Sequence, residues 1–301
     1  MDTLSTHDAR PDPRNADILI WVDGALVPRA EAKVSVYDSG FLLGDGVWEG
    51  LRLYDGCWAF LDDHLDRLAE AAVALDIALP ARDAIVAALE ATRDANGMRT
   101  DAHARLMVTR GRKRLPFQHP GLTETAPTMV VIMEHSTPSI PRPVRLATVP
   151  QIRGLPTSQD PKLNTHSKVN CVLACIAAEK AGADEALMLD VHGFVATTNA
   201  CNFFIVRRGA LWTSTGDYCF NGITRAKVIE LARADGIPCH ERNFSLVDCY
   251  SADEAFLTGT FGAQTPVGSI DGRTLPHAPG PVTERIRRLY RQAVAAASAA
   301  G

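Results

Sequence analysis

The chain has 301 residues, 46% of them hydrophobic and 22% charged, and a formal net charge of −4, the composition of a globular protein with one large or two medium domains. The slightly acidic balance gives no electrostatic case for nucleic acid or an anionic membrane, and no apolar run approaches the roughly 18–20 residues of a membrane span. Seven cysteines, an odd number in a chain of this size, argue against a disulfide framework and for reduced thiols in a cytoplasmic protein.

In chain order, residues 1–15 lack a hydrophobic signal region and read as a loose, disordered tail. Ile18–Val22 and Ala25–Val27 flank Asp23-Gly24, a hairpin signal. Val34–Tyr37 follows as a short strand. Trp48, Leu51 and Leu53 predict a strand running into the turn Asp55-Gly56, with Trp58–Leu61 returning. Asp62 is placed to N-cap a helix to about Leu79 that carries Leu65, Leu68, Ala72 and Leu75 on one face. Asp83–Asn96 predicts a second helix closed by Gly97. Ala104–Thr109 and Thr128–Met133 read as strands. Hairpins first and helices after them give an α+β N-terminal domain over 16–135. A proline-rich linker is placed at 136–143, and a C-terminal α+β domain over 144–301.

Residues 160–190, DPKLNTHSKVNCVLACIAAEKAGADEALMLD, read as loop, helix and strand. Val172, Cys175, Ile176 and Ala181 recur at helical spacing, and Gly182 closes the helix. Lys162 and Lys168 flank the helix start. Cys171 and Cys175 lie four apart, but no second Cys/His pair has zinc spacing, so no metal site is expected. Beyond this, Asn202–Val206 and Ala210–Thr213 form a meander, Ala226–Asp235 a helix, Glu254–Leu257 a strand and Pro281–Ala297 the last helix.

Three features carry chemistry. Gly222-Ile223-Thr224-Arg225 is a glycine turn opening a helix, where free backbone N–H groups and the positive end of the helix dipole face an anion. Thr258-Gly259-Thr260 ends a strand with a hydroxyl and a residue that allows close backbone approach. Arg52 is suited to a charge-assisted bond to phosphate.

Taken together, EGLRLYDG…DDHLDRL, GADEALMLD followed by GFVA, NFFIV, GITR and TGTFGAQTPV resemble class IV aminotransferases. These are fold-type IV enzymes that use pyridoxal 5′-phosphate and include branched-chain and D-amino-acid aminotransferases. The resemblance runs from about Ile18 to Val294. It implies two α+β domains with the cofactor between them, a homodimer, and an amino acid and a 2-oxo acid as substrates. Arg52, Gly222, Ile223, Thr224, Gly259 and Thr260 fall on phosphate-binding positions. Phe261 and Gly262 fall where substrate-carboxylate contacts are expected.

Two positions depart from the family pattern. Thr197 stands where a glutamate usually pairs with the pyridine nitrogen, which removes the countercharge that makes the ring a strong electron sink. Asn164 falls, in an ungapped count, on the lysine position, and asparagine cannot form a Schiff base. Lys168 and Lys162 remain as candidates. Lys168 is favoured because four residues from Asn164 would be one helical turn. His166 is a possible acid–base helper beside them. Amino transfer is the leading reading. A lyase or racemase on the same scaffold, and a non-catalytic binding protein, stay open. The basic run Arg110–Arg114 reads as a solvated loop or as a contact for an acidic substrate.

Overall fold

The computed structural model describes residues 5–140 and 142–300, the side chains of 298–300 excepted. The chain divides into two compact units, each mixed α+β. Among the described residues no helix is long and apolar enough to cross a membrane.

One unit comprises Arg10–Thr137, Asn164–Lys168 and residues 295–300. Its elements are β1 (Leu19–Val22), β2 (Ala25–Pro28), α1 (Ser39–Leu43), β3 (Gly46–Tyr54), β4 (Cys57–Trp58), α2 (Leu61–Ala74), α3 (Arg82–Ala95), β5 (Ala102–Thr109) and β6 (Met129–His135). The strands form an antiparallel sheet in the order β2-β1-β6-β5-β3-β4. Asp23-Gly24 makes the first hairpin, with φ of 45° and 96° at the two turn residues, the left-handed pair that a right-twisted hairpin demands.

Strand β3 divides its residues by parity. Val47, Leu51 and Leu53 are fully buried, and α2 packs against β3 with Leu65, Leu68 and Ala72 inside. Glu49 shares their side of the strand. It is buried between His64 (Nδ1, 2.7 Å) and a two-point contact from Arg67 (Nε, 2.8 Å; Nη2, 2.6 Å). Burial by itself would raise the Glu49 pKa, but the Arg67 charge and the bonds from His64 and Arg67 outweigh it, and the carboxyl is held below its ordinary range.

Several predicted elements differ. Helix α2 stops at Ala74, because Asp76 turns left-handed (φ 53°) and Ile77 folds back onto Ala72. Asp62 lies inside its first turn rather than at the cap, where it still favours the dipole. The return strand is only Cys57–Trp58. Val34–Tyr37 is irregular and exposed, and the Tyr37 carbonyl is taken by Lys113 N. In the basic run Arg110 clasps Asp45 and Lys113 is buried with Nζ on the His119 carbonyl, while Arg112 and Arg114 are exposed as in a solvated loop.

The other unit comprises residues 5–9, Pro138–Leu163 and Val169–Val294. Its elements are β7 (Val144–Thr148), α4 (Pro156–Gln159), α5 (Val169–Lys180), β8 (Glu185–Leu189), β9 (Val195–Thr198), β10 (Asn202–Arg207), β11 (Ala210–Thr213), α6 (Ile223–Ala234), β12 (Cys239–Glu241), α7 (Leu246–Tyr250), β13 (Glu254–Gly259), β14 (Ala263–Ile270), β15 (Arg273–Thr274) and α8 (Pro281–Ala300). The sheet runs β12-β11-β10-β13-β14-β7-β8-β9, with β15 on β14. It is mixed: β11–β12, β14–β7 and β7–β8 are parallel. Phe204, Val206 and Phe256 pack under α6 and α8 against Val228, Ile229 and Ile286, while Phe203, Ile205 and Leu257 pack on the other side with Phe244 and Cys249.

Helix α5 turns the opposite way from its sequence pattern. Ala174 and Ala178 face the sheet, against Ala147, Ala186 and Met188, because only small side chains let the helix sit that close. Val172, Cys175, Ile176 and Ala181 are exposed. The N-terminal segment also differs from a loose tail. It is anchored at Thr6, which is buried with both its N–H and its hydroxyl donating to Glu185.

Candidate functional site

In the unit built on β7–β15, the predicted anion motif is assembled around Cys201-Asn202 at the start of β10. Asn202 Oδ1 accepts the Gly222 N–H (3.2 Å), and its Nδ2 donates to the Phe220 carbonyl (2.7 Å). A methyl group on Gly222 would overlap Asn202 Oδ1, so glycine is required by close approach. Gly222 caps α6 without any side-chain bond. The first N–H groups of this 12-residue helix, at Ile223 and Thr224, therefore lie beyond the reach of intrahelical carbonyls.

Register extends the cradle. Asn202 pairs with Thr258, and Thr258 with Gln264, so the three side chains share one side of the sheet. Thr258 Oγ1 and Gln264 Nε2 are buried without a hydrogen-bond partner. An unpartnered buried hydroxyl beside an uncapped helix N-terminus fits a phosphate oxygen. On this criterion the residues suit the phosphate end of the cofactor implied by the sequence. Gly259 backs onto Cys201 Sγ, 3.1 Å from where a Cβ would stand. Thr260 is half-buried in the turn that follows, and Phe261 is buried there. The sequence reading missed the Cys201-Asn202 hub, although Asn202 leading the apolar run Phe203–Val206 was its visible sign.

Thr197 is tied to Cys201, just ahead of β10. It is buried on β9, and its hydroxyl donates to the Cys201 carbonyl (2.8 Å), which also receives Thr198 N (3.0 Å) and Thr198 Oγ1 (2.7 Å). With its proton committed, Thr197 offers a lone pair, not a donor.

The lysine region is corrected as well. Residues 164–168 are not helical, and α5 begins at Val169. Thr165 bridges Val47 antiparallel, with Trp48 N on the Asn164 carbonyl and His166 N on the Gly46 carbonyl, both at 3.0 Å. Asn164–His166 thus bridge the start of β3, and the one-turn argument linking Lys168 to Asn164 fails. Asn164 is buried, its Nδ2 donating to the Trp48 carbonyl (2.7 Å). Lys162 is exposed in the turn after Asp160.

Lys168 is half-buried, with Nζ 5.7 Å from the Trp48 ring. The same ring system carries a residue sequence reasoning passed over. Arg105 lies 3.8 Å from the Trp48 ring centroid, and burial lowers its pKa. The register β3–β5 explains the meeting: Trp48, Gly50 and Arg52 face the same way as Met107, Arg105 and His103. His166 is half-buried, its pKa lowered by burial first and by the Arg105 and Lys168 charges after it. Its Nε2 is buried without a partner. An arginine inside the apolar run of β5 was the available signal. Arg52 itself is buried, with Nη1 on the Ser136 carbonyl (2.5 Å) and Asp101 3.8 Å away.

The family model for amino-transferase class IV matches residues 46–270. Branched-chain-amino-acid aminotransferase-like protein 2 of Arabidopsis thaliana is 41% identical over 286 residues, covering 94% of this chain and 51% of its own length. The chain thus spans about half of that relative. A putative branched-chain-amino-acid aminotransferase of Methanocaldococcus jannaschii is 39% identical over 277 residues, 90% of this chain and 95% of its own. Among solved structures, the branched-chain aminotransferase of the thermophilic archaeon Thermoproteus uzoniensis with norvaline superposes with a TM-score of 0.83. It is 32% identical, covering 92% of this chain and 94% of that one.

Proposed function

The chain belongs to the class IV amino-transferases, and from that premise we propose that it moves an amino group between an amino acid and a 2-oxo acid. The family's cofactor is pyridoxal 5′-phosphate, which when bound supplies an electron sink for bond breaking at Cα. The observation that carries the reading is the cradle at Gly222–Thr224, with glycine enforced by Asn202 and no side chain capping the helix. Ile223 and Thr224 would hold the phosphate through backbone N–H groups and a hydroxyl, Gly259 and Thr260 would close its other side, and Arg52 is assigned a charged phosphate contact by the resemblance. Thr197, whose hydroxyl donates to the Cys201 carbonyl, would offer only a lone pair to the ring nitrogen.

Lys168 is the lysine we assign to hold the cofactor covalently and to carry the substrate α-proton. Lys162 is the second candidate. Lys168 is favoured by its half-buried setting beside Trp48, where Lys162 is exposed. The Phe261-Gly262 turn is read as the substrate-carboxylate site, and Arg105, stacked on Trp48, is a further candidate contact for a substrate anion. Names of the relatives favour a branched-chain amino acid. A homodimer is proposed as well: Val169, Val172, Leu173 and Ile176 leave an exposed apolar stripe on α5 that a second copy would cover. A reducing, cytoplasmic setting suits seven cysteines that form no disulfide.

The test is an absorbance spectrum with added pyridoxal phosphate, borohydride reduction, peptide mapping of the labelled lysine, and turnover of leucine, isoleucine and valine against D-alanine with 2-oxoglutarate. Label on Lys168 with leucine turnover is expected. Label on Lys162 moves the catalytic role there. Asn164, buried and hydrogen-bonded where the family lysine would fall, favours one second reading, a binding protein. Tight pyridoxamine 5′-phosphate binding with no labelled lysine and no turnover would establish it.

A further inference from the structure

Residues 5–9 stand outside the segment matched by the family model, yet they lie against the turn that follows β13. Thr6 is 1% exposed, and its N–H and Oγ1 both donate to Glu185 Oε1 at 2.7 Å. Asn199 Nδ2 supplies the other oxygen of Glu185 (2.5 Å). Glu185 is itself buried, and a buried carboxylate without such donors is strongly disfavoured. Two of these three donors come from Thr6, which anchors the segment. Cys201 Sγ adds a weak bond to Thr6 Oγ1 (3.5 Å). A second fastening is the backbone pairing of Ala9 with Pro138, with Ser139 N on the Asp8 carbonyl (2.8 Å).

The segment meets the turn at two points. The His7 ring stacks on Phe261, with centroids 5.8 Å apart and planes inclined by 25°. The Thr6 carbonyl is 3.3 Å from where a Cβ on Gly262 would stand. Phe261 and Gly262 are the residues expected to meet the substrate carboxylate.

We propose that residues 5–9 are a strap that fixes Phe261 and Gly262 for substrate binding, with Thr6 and Glu185 as its positioning residues. This rests on reading that turn as the substrate-carboxylate site. The strap acts on the amino acid and oxo acid, and leaves the phosphate cradle at Gly222–Thr224 to bind as before. Cys201 provides a reporter that needs no turnover. It is buried under Thr6, and burial, then the Glu185 charge, push its thiol up to about 12, so alkylation is slow while the strap is in place.

The experiment compares the intact chain, a chain lacking residues 1–9, Thr6→Val and Thr6→Ser. Measured are Cys201 alkylation by N-ethylmaleimide (read by peptide mass), binding of pyridoxamine 5′-phosphate, binding of 4-methyl-2-oxopentanoate, and KM against kcat for leucine. Truncation is expected to speed Cys201 alkylation by about tenfold or more and to raise the oxo-acid Kd and the leucine KM by about tenfold, with kcat and pyridoxamine phosphate binding within about twofold. Thr6→Val keeps the N–H bond and loses the hydroxyl, so a rise of about threefold in KM is expected, and Thr6→Ser restores it. A truncated chain with fast Cys201 alkylation and an unchanged oxo-acid Kd overturns the strap. So does an equal loss of kcat and pyridoxamine phosphate affinity, which marks general destabilisation. Should truncation unfold the chain, Thr6→Val with unchanged KM overturns it instead. An intact chain that neither binds nor turns over the oxo acid, while Cys201 is still protected by Thr6, overturns the reading of the turn and the strap's substrate role with it.

Discussion

Replacing Gly222 by alanine isolates the space beside the helix N-terminus from every other property of glycine. Gly222 has φ −66° and ψ 141°, which alanine adopts without strain. The new methyl collides with Asn202 Oδ1. Asn202 cannot swing away freely, because Nδ2 is on the Phe220 carbonyl (2.7 Å) and Oδ1 holds Gly222 N (3.2 Å). Relieving the overlap breaks those two neutral bonds, at about 1 kcal/mol each, or about 2 kcal/mol together. If the helix start must return to its native place to bind, that energy lowers phosphate affinity about 30-fold. The assay is titration with pyridoxamine 5′-phosphate followed by tryptophan fluorescence, since this ligand measures the cradle without a covalent bond to lysine. Pyridoxamine lacking the phosphate is the control and should respond little. Asn202→Ala combined with Gly222→Ala removes the collision, so the pair should bind within a fewfold of Asn202→Ala alone. A Gly222→Ala protein that binds pyridoxamine 5′-phosphate within about twofold of the parent refutes the cradle.

Glu49→Leu strands Arg67 and His64 beside an apolar pocket and should cost about 3–5 kcal/mol in urea unfolding, with much of the loss recovered when Arg67→Met is added; a single variant within about 1 kcal/mol of the parent would contradict this. The same carboxyl sets an acid limit. Its folded pKa is depressed, so its contribution is full above the ordinary value of 4.5 and fades as pH falls below it, a slope that Glu49→Gln should flatten. His166 acts in a higher window. Its folded pKa is lowered, so the unfolded chain takes up a proton first as pH falls through 6.5, and stability drops there; His166→Asn should abolish that component of the pH–stability curve. Thr197→Val should change stability by less than about 1 kcal/mol, because the Cys201 carbonyl keeps Thr198 N and Thr198 Oγ1; a larger loss would show that the Thr197 bond is not redundant.

Sequence alone determined the features with local causes. The Asp23-Gly24 turn needs two left-handed residues, and the chain supplies them. The helix starting after Gly222 was legible because a glycine turn ahead of a helix has a short-range signature. The α+β class followed from the order of hairpins and helices. What tertiary structure decided was which side of each element faces inward and which distant residues meet. Helix α5 buries its alanines rather than its larger aliphatics, since close approach to β7 and β8 outweighs the hydrophobicity of Val172 and Ile176. Asn164–His166 bridge the start of β3, because the backbone of Gly46 and Trp48 offers bonds that a helix start there would forgo. That pairing separates Lys168 from the place a helical count gave it and sets it beside Trp48 and Arg105. Thr6 becomes buried for a reason no local pattern carries: a carboxylate 179 residues away needs donors, and the N-terminal segment supplies them.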